Sequence, residues 1–556
     1  MSLRVRADRA LSKALRLPAP TNEFRVDNGV TVPMRDGVEL IADHYIPQCS
    51  APIGTLLVRT PYGRGFPLSA VFGGMFAARG YHVLVQSVRG TFGSGGEFNP
   101  TVNEAADGAD TVAWMRQQPW YTGTFVTAGI SYLGTAQWAL LTDPPADMAG
   151  AVIIVGNHDF PLASWGSGAF AVNDYLLWSY AVTHQEDPRR LRDIPRRRRL
   201  PGLLERTAAR VPLAAAGRSL LGDGASWWEG WFEHPDVDDP YWDRHKFYAA
   251  LDGATVPVLL VGGWQDVFLA QTIEQYHRLH SRGVDVALTI GPWTHGHMST
   301  KAAPRILREA LAFLDQRLTG RPAPPRSPVH VFVTGGGGWR RLPEWPPATT
   351  TGTWFLEPGA LVPEAPPDPP ARSRFTFDPH HPTPTVGGAL LSNDGGYLRD
   401  ERLAERGDVL TFTSQPLADD IYVYGPPVVE LDHETDNPYV DLFVRVSEVD
   451  RKGRSRNVSD GYRRLTRDGR EPVRLELDEI AHRFRAGSRI RVLVAGGSHP
   501  RFTRNLGTGE NQGNGHQMRP ATHTIHHGGS SRLTLPLGTP SAHQPPDPIG
   551  DPGQRG

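Results

Sequence analysis

The chain has 556 residues, 39% hydrophobic and 21% charged, with a formal net charge of −1 and a single cysteine, Cys49. That balance argues against nucleic acid or an anionic surface as the main partner, and one thiol excludes an intrachain disulfide framework or a cysteine-based metal site. The length exceeds what one hydrophobic core can organise and implies roughly two to four domains.

At the N-terminus, Leu3, Ala7, Ala10, Leu11, Ala14 and Leu15 share one helical face, ringed by Arg4, Arg6, Arg9, Lys13 and Arg16. The expectation is an arm over residues 1–29 whose helix lies on its own protein; a basic amphipathic helix touching a membrane surface is the alternative. The stretch lacks the apolar centre of a signal peptide, and no apolar run approaches the ~20 residues that cross a bilayer. No stable membrane insertion is expected, and a lone thiol suits a reducing cytoplasm.

Val30 to Ile46 alternates apolar and polar residues around Asp36-Gly37, the pattern of a hairpin. Thr55–Val58 and Tyr81–Gln86 read as strands, Asn103–Gln118 as a helix, and Phe125–Ala128 and Ala151–Val155 as further strands. The loop Arg89-Gly90-Thr91-Phe92-Gly93-Ser94-Gly95-Gly96 lacks the Gly-Lys-Ser/Thr of a phosphate loop. Alternating strands and helices imply an α/β fold with a mostly parallel sheet covered on both faces. From about Phe160 to Ala250 the alternation stops. The residues become aromatic, Arg-rich and helix-like, which suggests a helical cap inserted over the active edge of the sheet. The basic run Arg189–Arg199 reads as a solvated face. The βα pattern resumes at Val256–Gly263, Val286–Ile290 and a helix near Ala303–Leu318.

At Pro322-Ala323-Pro324-Pro325 the composition changes to short Val-, Leu- and Thr-rich strands between Gly and Pro turns, including Val329–Val333, Val440–Val444 and Arg489–Val494. That pattern implies an all-β jelly-roll or sandwich domain. The expected division is 30–159 with 251–321 as the core, 160–250 as the cap, 327–538 as the β-domain, and a disordered tail over 539–556.

The chemistry centres on Gly129-Ile130-Ser131-Tyr132-Leu133-Gly134, between a strand and a helix. A serine pinched between glycines at such a turn is the pattern of a nucleophile elbow, here with G-x-S-x-x-G spacing. The helix that follows aims its free N–H groups at the serine hydroxyl. A serine nucleophile needs a base, and the base an orienting carboxylate. Asp266 follows the strand ending Val261-Gly262-Gly263-Trp264-Gln265, and His295 follows the strand ending at Ile290. Either alone could be an ordinary loop residue. All three at strand ends in the order Ser, Asp, His is the α/β-hydrolase arrangement. His297 is the competing histidine. His516, His523, His526 and His527 cluster near the end of the β-domain and read as surface histidines, with a metal pair at His523 and His526 the lesser alternative. No cofactor and no metal are required.

These motifs together resemble the cocaine esterase / X-Pro dipeptidyl-peptidase family of serine hydrolases, which includes α-amino-acid ester hydrolases. The matching residues are Arg59-Thr60-Pro61-Tyr62, Val88-Arg89-Gly90, Gly95-Gly96-Glu97-Phe98, Gln118-Pro119-Trp120, the serine motif, Gly263-Trp264-Gln265-Asp266, Gly291–His295 and, in the β-domain, Asp378-Pro379 with Pro384–Gly388 and Pro500-Arg501-Phe502 with Arg504-Asn505. The resemblance spans about Val30 to Leu537. It implies an α/β-hydrolase sheet, a helical cap and a C-terminal jelly roll of galactose-binding type. It implies Ser131 as nucleophile, His295 as base and Asp266 as orienting carboxylate, with an oxyanion hole from the Tyr62 hydroxyl and the Tyr132 backbone N–H. It also implies Trp165 and Phe268 as acyl-pocket walls. Ser87 stands where family members often carry Asp, which would loosen a structural hydrogen bond.

The expected activity is hydrolysis of small-molecule carboxylic esters or amides, including acylase-type substrates, through an acyl-enzyme. The alternatives are an X-Pro dipeptidyl-peptidase, which must bind a free α-amine, and an inert binding protein dominated by its β-domain. Val267-Phe268-Leu269 after Asp266 offers no carboxylate, so neutral acyl groups are expected to be preferred unless Asp159 or Asp174 reaches the pocket.

Overall fold

A computed structural model of the chain describes residues 12–187, 194–320, 328–365, 371–466 and 469–539. Most of the amphipathic N-terminal segment, part of the Arg189–Arg199 run, the Pro322–Pro325 linker and nearly all of the 539–556 tail lie outside these residues.

The first sheet has ten strands: β1 (Phe24–Pro33), β2 (Glu39–Pro47), β3 (Gly54–Thr60), β4 (Tyr81–Ser87), β5 (Phe125–Ile130), β6 (Met148–Ile154), β7 (Val258–Gln265), β8 (Val286–Thr294), β9 (Val329–Val333) and β10 (Gly338–Leu342). Their order is β1-β2-β4-β3-β5-β6-β7-β8-β9-β10. β1 and β2 form the hairpin predicted around Asp36-Gly37, and β2 runs antiparallel to β4. From β4 across to β9 every pairing is parallel.

Buried on both faces, these central strands alternate between two cores rather than between core and water. Leu57, Leu84, Phe125, Ile153, Leu260 and Leu288 face one core with Trp138 and Met115. Leu56, Val83, Val126, Val152, Leu259 and Val261 face the other, with Ile306, Leu311 and Leu314 of the helix Ala303–Thr319. The sequence therefore reads as continuous apolar runs in β3 to β8, and β5 is held with a covered neighbour on each side.

Between β6 and β7 the chain is helical: Phe160–Trp165, Val172–Thr183, Ile194–Ala208, Leu213–Leu221, Trp227–Glu233 and Tyr248–Gly253. These pack around an aromatic core containing Phe160, Trp165, Phe170, Trp228 and Trp231. Clustered aromatic rings provide the apolar area that six short helices could not supply from aliphatic side chains alone.

From Thr350 to Gly538, thirteen strands form one hydrogen-bonded network around Leu356, Phe412, Val429, Leu442, Val492 and Ile525, an all-β domain separate from the mixed sheet. One difference from the sequence reading concerns Val329–Val333. It was expected to open this β-domain, but it pairs with β8 in parallel and extends the first sheet. Alternation identifies a strand without saying which sheet edge it joins. The two sheets meet just past β9, where the Thr334 N–H donates to the Ala481 carbonyl at 2.9 Å.

Candidate active site

β5 ends at Ile130 and the helix Tyr132–Leu140 begins at Tyr132, so Ser131 alone makes the turn. Its φ is 60° and ψ −124°, the left-handed region that a β-carbon makes costly. The turn is pinned on both sides. The Ser131 N–H donates to the Ile154 carbonyl of β6 at 2.8 Å, and the Ser131 carbonyl accepts from the Gly134 N–H at 2.7 Å. Two glycines permit this: a β-carbon at Gly129 would meet Leu133 Cβ at 2.4 Å, and one at Gly134 would meet Gly156 Cα at 2.8 Å.

β7 and β8 lie beyond β6, and both end on the same edge. Asp266 follows β7 and is 2% exposed. Its Oδ2 lies 2.7 Å from His295 Nδ1, while Oδ1 accepts the Phe268 N–H at 2.8 Å. Fixed at both oxygens, the carboxylate orients the imidazole. His295 follows β8 and places Nε2 2.9 Å from Ser131 Oγ. His297 does not join this chain. Its Nδ1 accepts the Thr294 N–H at 3.2 Å and caps the short turn His295–His297.

The Tyr62 hydroxyl hydrogen-bonds to Ser131 and accepts from Trp178 Nε1 at 3.0 Å. Burial pushes its pKa up to about 12, so the phenol keeps its proton at neutral pH. Tyr132 is the first residue of its helix, where the backbone N–H has no intrahelical carbonyl to reach. Its side chain anchors the elbow from behind. The hydroxyl donates to Glu104 Oε1 at 2.9 Å and accepts the Thr101 N–H at 2.8 Å, and Glu104 pairs with Arg59 at 2.9 Å. Burial raises the Glu104 pKa despite the opposing pull of Arg59.

A cavity of about 100 Å³ opens onto Ser131, walled by Phe268 of the core, by Phe160, Tyr175 and Trp178 from the inserted helices, and by Arg501 and Phe502 of the β-domain. Phe268 thus lines it, its ring edge-on to His295 at 5.5 Å. Trp165 does not: it is 1% exposed within the aromatic core, against Phe170 and Phe232. Its neighbours along the short helix Phe160–Trp165, Phe160 and Ala163, face the cavity in its place. Helical phase decides which side of so short a helix faces the pocket, and the sequence position alone did not supply that phase.

The expected preference for neutral acyl groups was conditional on Asp159 and Asp174 staying out of the pocket, and one of the two reaches it. Asp159 is engaged as the N-cap of Phe160–Trp165, accepting the Leu162 N–H at 2.6 Å. Asp174, in the first turn of Val172–Thr183, lines the cavity. Burial pushes its pKa up to about 6, against the Leu391 N–H and Arg501, which favour its charged form. Sequence reasoning missed Trp178 as the partner of Tyr62, and missed Arg501 and Phe502 as walls. Their motifs were visible, but the contacts arise only when the inserted helices and the β-domain close over the sheet.

Ser87 is fully buried and its hydroxyl accepts from Arg64 Nη1 at 2.6 Å, so the position still holds a structural hydrogen bond. The glycine-rich loop is closed by the Arg89 guanidinium, which pairs with Asp107 at 2.6 Å and Asp36 at 2.8 Å. The histidines near the end of the β-domain are not at the surface, apart from His516. His523 is fully buried and hydrogen-bonds to His433 at 3.0 Å; His526 lies 2.6 Å from Glu434; His527 is 1% exposed and 2.8 Å from the Ser373 hydroxyl. Cross-strand packing brought these partners from distant sequence. Among the described residues, no group of three His, Cys, Asp or Glu side chains is placed to hold a metal ion, and no helix is long and apolar enough to cross a membrane.

Residues 36–297 match the X-Pro dipeptidyl-peptidase family (S15), and residues 324–535 match the X-Pro dipeptidyl-peptidase C-terminal non-catalytic domain. Cocaine esterase of Rhodococcus sp. (strain MB1 Bresler) is 28% identical, over 92% of this chain and 99% of its own length. Among solved structures, an aminopeptidase from a marine sediment Thaumarchaeota archaeon superposes with a TM-score of 0.79 at 23% identity, covering 93% of this chain and 96% of its own. An α-amino acid ester hydrolase superposes at 0.76 with 22% identity, over 94% of this chain and 98% of its own. At these identities the structural likeness speaks to the fold.

Proposed function

The chain belongs to the cocaine esterase / X-Pro dipeptidyl-peptidase family of serine hydrolases, and on that premise we propose that it cleaves small-molecule carboxylic esters or amides through an acyl-enzyme on Ser131. The observation that carries this reading is the unbroken chain from Ser131 Oγ to His295 (2.9 Å) to Asp266 (2.7 Å), at three strand ends of one sheet edge.

Ser131 Oγ attacks the substrate carbonyl as its proton passes to His295 Nε2. Asp266 holds the imidazole in the tautomer that can accept that proton, and stabilises the imidazolium that forms. Negative charge developing on the carbonyl oxygen is met by the Tyr62 O–H and the Tyr132 N–H. Trp178 supports Tyr62 in this role. Its N–H occupies a lone pair of the phenol oxygen, leaving the phenol proton free to be donated. The tetrahedral intermediate collapses and expels the leaving alcohol or amine, protonated by His295. Water then repeats the sequence on the acyl-enzyme and returns Ser131.

The inert-binding alternative is disfavoured by the strain held at Ser131, which a purely structural turn has no reason to keep. A fluorophosphonate probe tests the reading. We expect one label, on the peptide containing Ser131, in the folded enzyme and none in Ser131→Ala. A folded, active enzyme that escapes labelling would refute it. A panel pairing small esters with X-Pro amides separates the ester reading from the dipeptidyl-peptidase one.

A further inference from the structure

We infer that the cleft between the β9–β10 turn and the β-domain binds a multiply charged oxyanion, a phosphate or polycarboxylate group, held chiefly by Arg399 and Arg456. The cleft shares no lining residue with the catalytic cavity, and the inference does not depend on the chemistry at Ser131.

Arg399 and Arg456 are partners in an isolated antiparallel bridge. The Asn457 N–H donates to the Leu398 carbonyl and the Asp400 N–H to the Ser455 carbonyl, both at 3.3 Å. The bridge hydrogen bonds therefore flank the pair. That makes it the closely spaced, non-hydrogen-bonded kind, with both side chains on one face. Like charges directly opposite each other destabilise a sheet. A carboxylate between them would relieve the repulsion, but among the described residues neither guanidinium makes an ion pair or a hydrogen bond.

The cleft around them, of about 710 Å³, is short of negative charge. Arg399, Arg454, Arg456 and Arg485 line it against two carboxylates, Glu448 and Asp450. Both carboxylates are engaged. Asp450 pairs with Arg454 at 2.6 Å, and Glu448 accepts the Arg485 backbone N–H at 3.2 Å and lies 3.4 Å from His482. The Arg485 guanidinium is fixed on the glycine turn instead, its Nε donating to the Gly335 carbonyl at 2.9 Å. Gly336 makes room for it, since a β-carbon there would collide with Arg485 Nη2. Three guanidiniums without a carboxylate thus line one space, and guanidinium donors match phosphate and carboxylate oxygens bidentately. One such group is far smaller than the cleft, so the ligand carries it on a larger organic body, for which Phe332 supplies an apolar wall.

Calorimetric titration tests this with phenyl phosphate, citrate and, as a singly charged control, benzenesulfonate, at one ionic strength set with sodium chloride. At about pH 7.5 phenyl phosphate is a dianion. We expect a Kd below about 1 mM for phenyl phosphate or citrate, and at least about tenfold weaker binding of benzenesulfonate. The tighter of the two polyanions tells phosphate from polycarboxylate. Arg399→Gln and Arg456→Gln should each lose about tenfold or more in affinity. Arg519→Gln, which removes the same charge at an exposed position outside the cleft, should change it less than about twofold. Enzyme blocked at Ser131 by fluorophosphonate should bind as before. In chloride alone, Arg456→Gln should melt no lower than the unmodified protein, because it removes a repulsion.

Both arginines are exposed, so their loss leaves the core intact. Weaker binding than about 1 mM by both polyanions overturns the inference, as does equal binding of benzenesulfonate. Binding that survives in the doubly substituted Arg399→Gln, Arg456→Gln protein also overturns it, because the anion then sits elsewhere.

Discussion

At the residue scale, the site depends on a few side chains whose second partners define their roles. Tyr62 is the clearest case. Its hydroxyl sits between Trp178 and Ser131, so Tyr62→Phe removes a donor without changing the shape of the wall. The expected result is a fall in kcat of roughly 10²–10³-fold with little change in KM; a rise in KM alone would make Tyr62 a pocket wall. Trp178→Phe should give a smaller loss in the same direction, since it leaves the phenol in place but without its orienting N–H. Ser131, Asp266 and His295 were legible in the sequence because each follows a strand, and strand ends on one edge converge whatever the rest of the chain does; Tyr62 came from the family resemblance. Trp178 and Arg501 were not legible in that way, and Asp174 was named only as one of two carboxylates that could reach the pocket. They reach the cavity from inserted helices and a second domain, and their places depend on how those bodies dock. Trp165 shows the same limit from the other side, since a residue one helical phase away from the pocket belongs to the core.

At the element scale, the turn between β5 and the helix Tyr132–Leu140 requires close backbone approach. Gly134 and Gly156 touch so nearly that a β-carbon on Gly134 would lie 2.8 Å from Gly156 Cα and 3.2 Å from Ile153 Cγ2. Neither backbone can yield without moving β6 or the helix that presents Ser131. Gly134→Ala should therefore cost roughly 1–3 kcal/mol of stability and slow fluorophosphonate labelling. Gly253→Ala provides the contrast. It is the exposed last residue of the helix Tyr248–Gly253, with nothing within 4 Å of the added methyl, and should be neutral or stabilise by about 0.4–1 kcal/mol. Equal melting temperatures for the two variants would contradict this account of the elbow. Here the sequence announced the motif, since glycines flanking a serine between a strand and a helix have few other uses. It did not announce the partner: Gly156 follows β6 and looked like any turn glycine.

At the scale of the whole molecule, burial sets the response to acid. His44, His158 and His523 are pushed down to about 3, and His245 and His499 to about 4, chiefly by desolvation. Unfolded, each binds a proton near pH 6.5, so the unfolded state takes up protons first and stability falls as pH drops below about 6.5. Asp174 and Asp478, raised to about 6, and Glu479, raised to about 7, act in the opposite sense, because the folded state takes up their protons first. At ~1.4 kcal/mol per pH unit per group, five histidines outweigh three carboxyls. The melting temperature should fall from about pH 7 to about pH 5, and a rise over that range would contradict the assignment. The larger architecture was legible as composition: alternating strands and helices, an aromatic helical stretch, then short strands between turns. The joins were less so. Val329–Val333 crosses back to the first sheet, and the cavity has walls from all three regions.

The account stands or falls on a covalent acyl group at Ser131. The direct measurement is mass spectrometry of enzyme quenched in acid during turnover of a p-nitrophenyl ester, followed by proteolysis. The expected result is a mass increase equal to the acyl group on the peptide containing Ser131, absent in Ser131→Ala, whose kcat should be lower by about 10⁴-fold or more. An adduct on another residue, or a folded Ser131→Ala enzyme that keeps most of its activity, would contradict it.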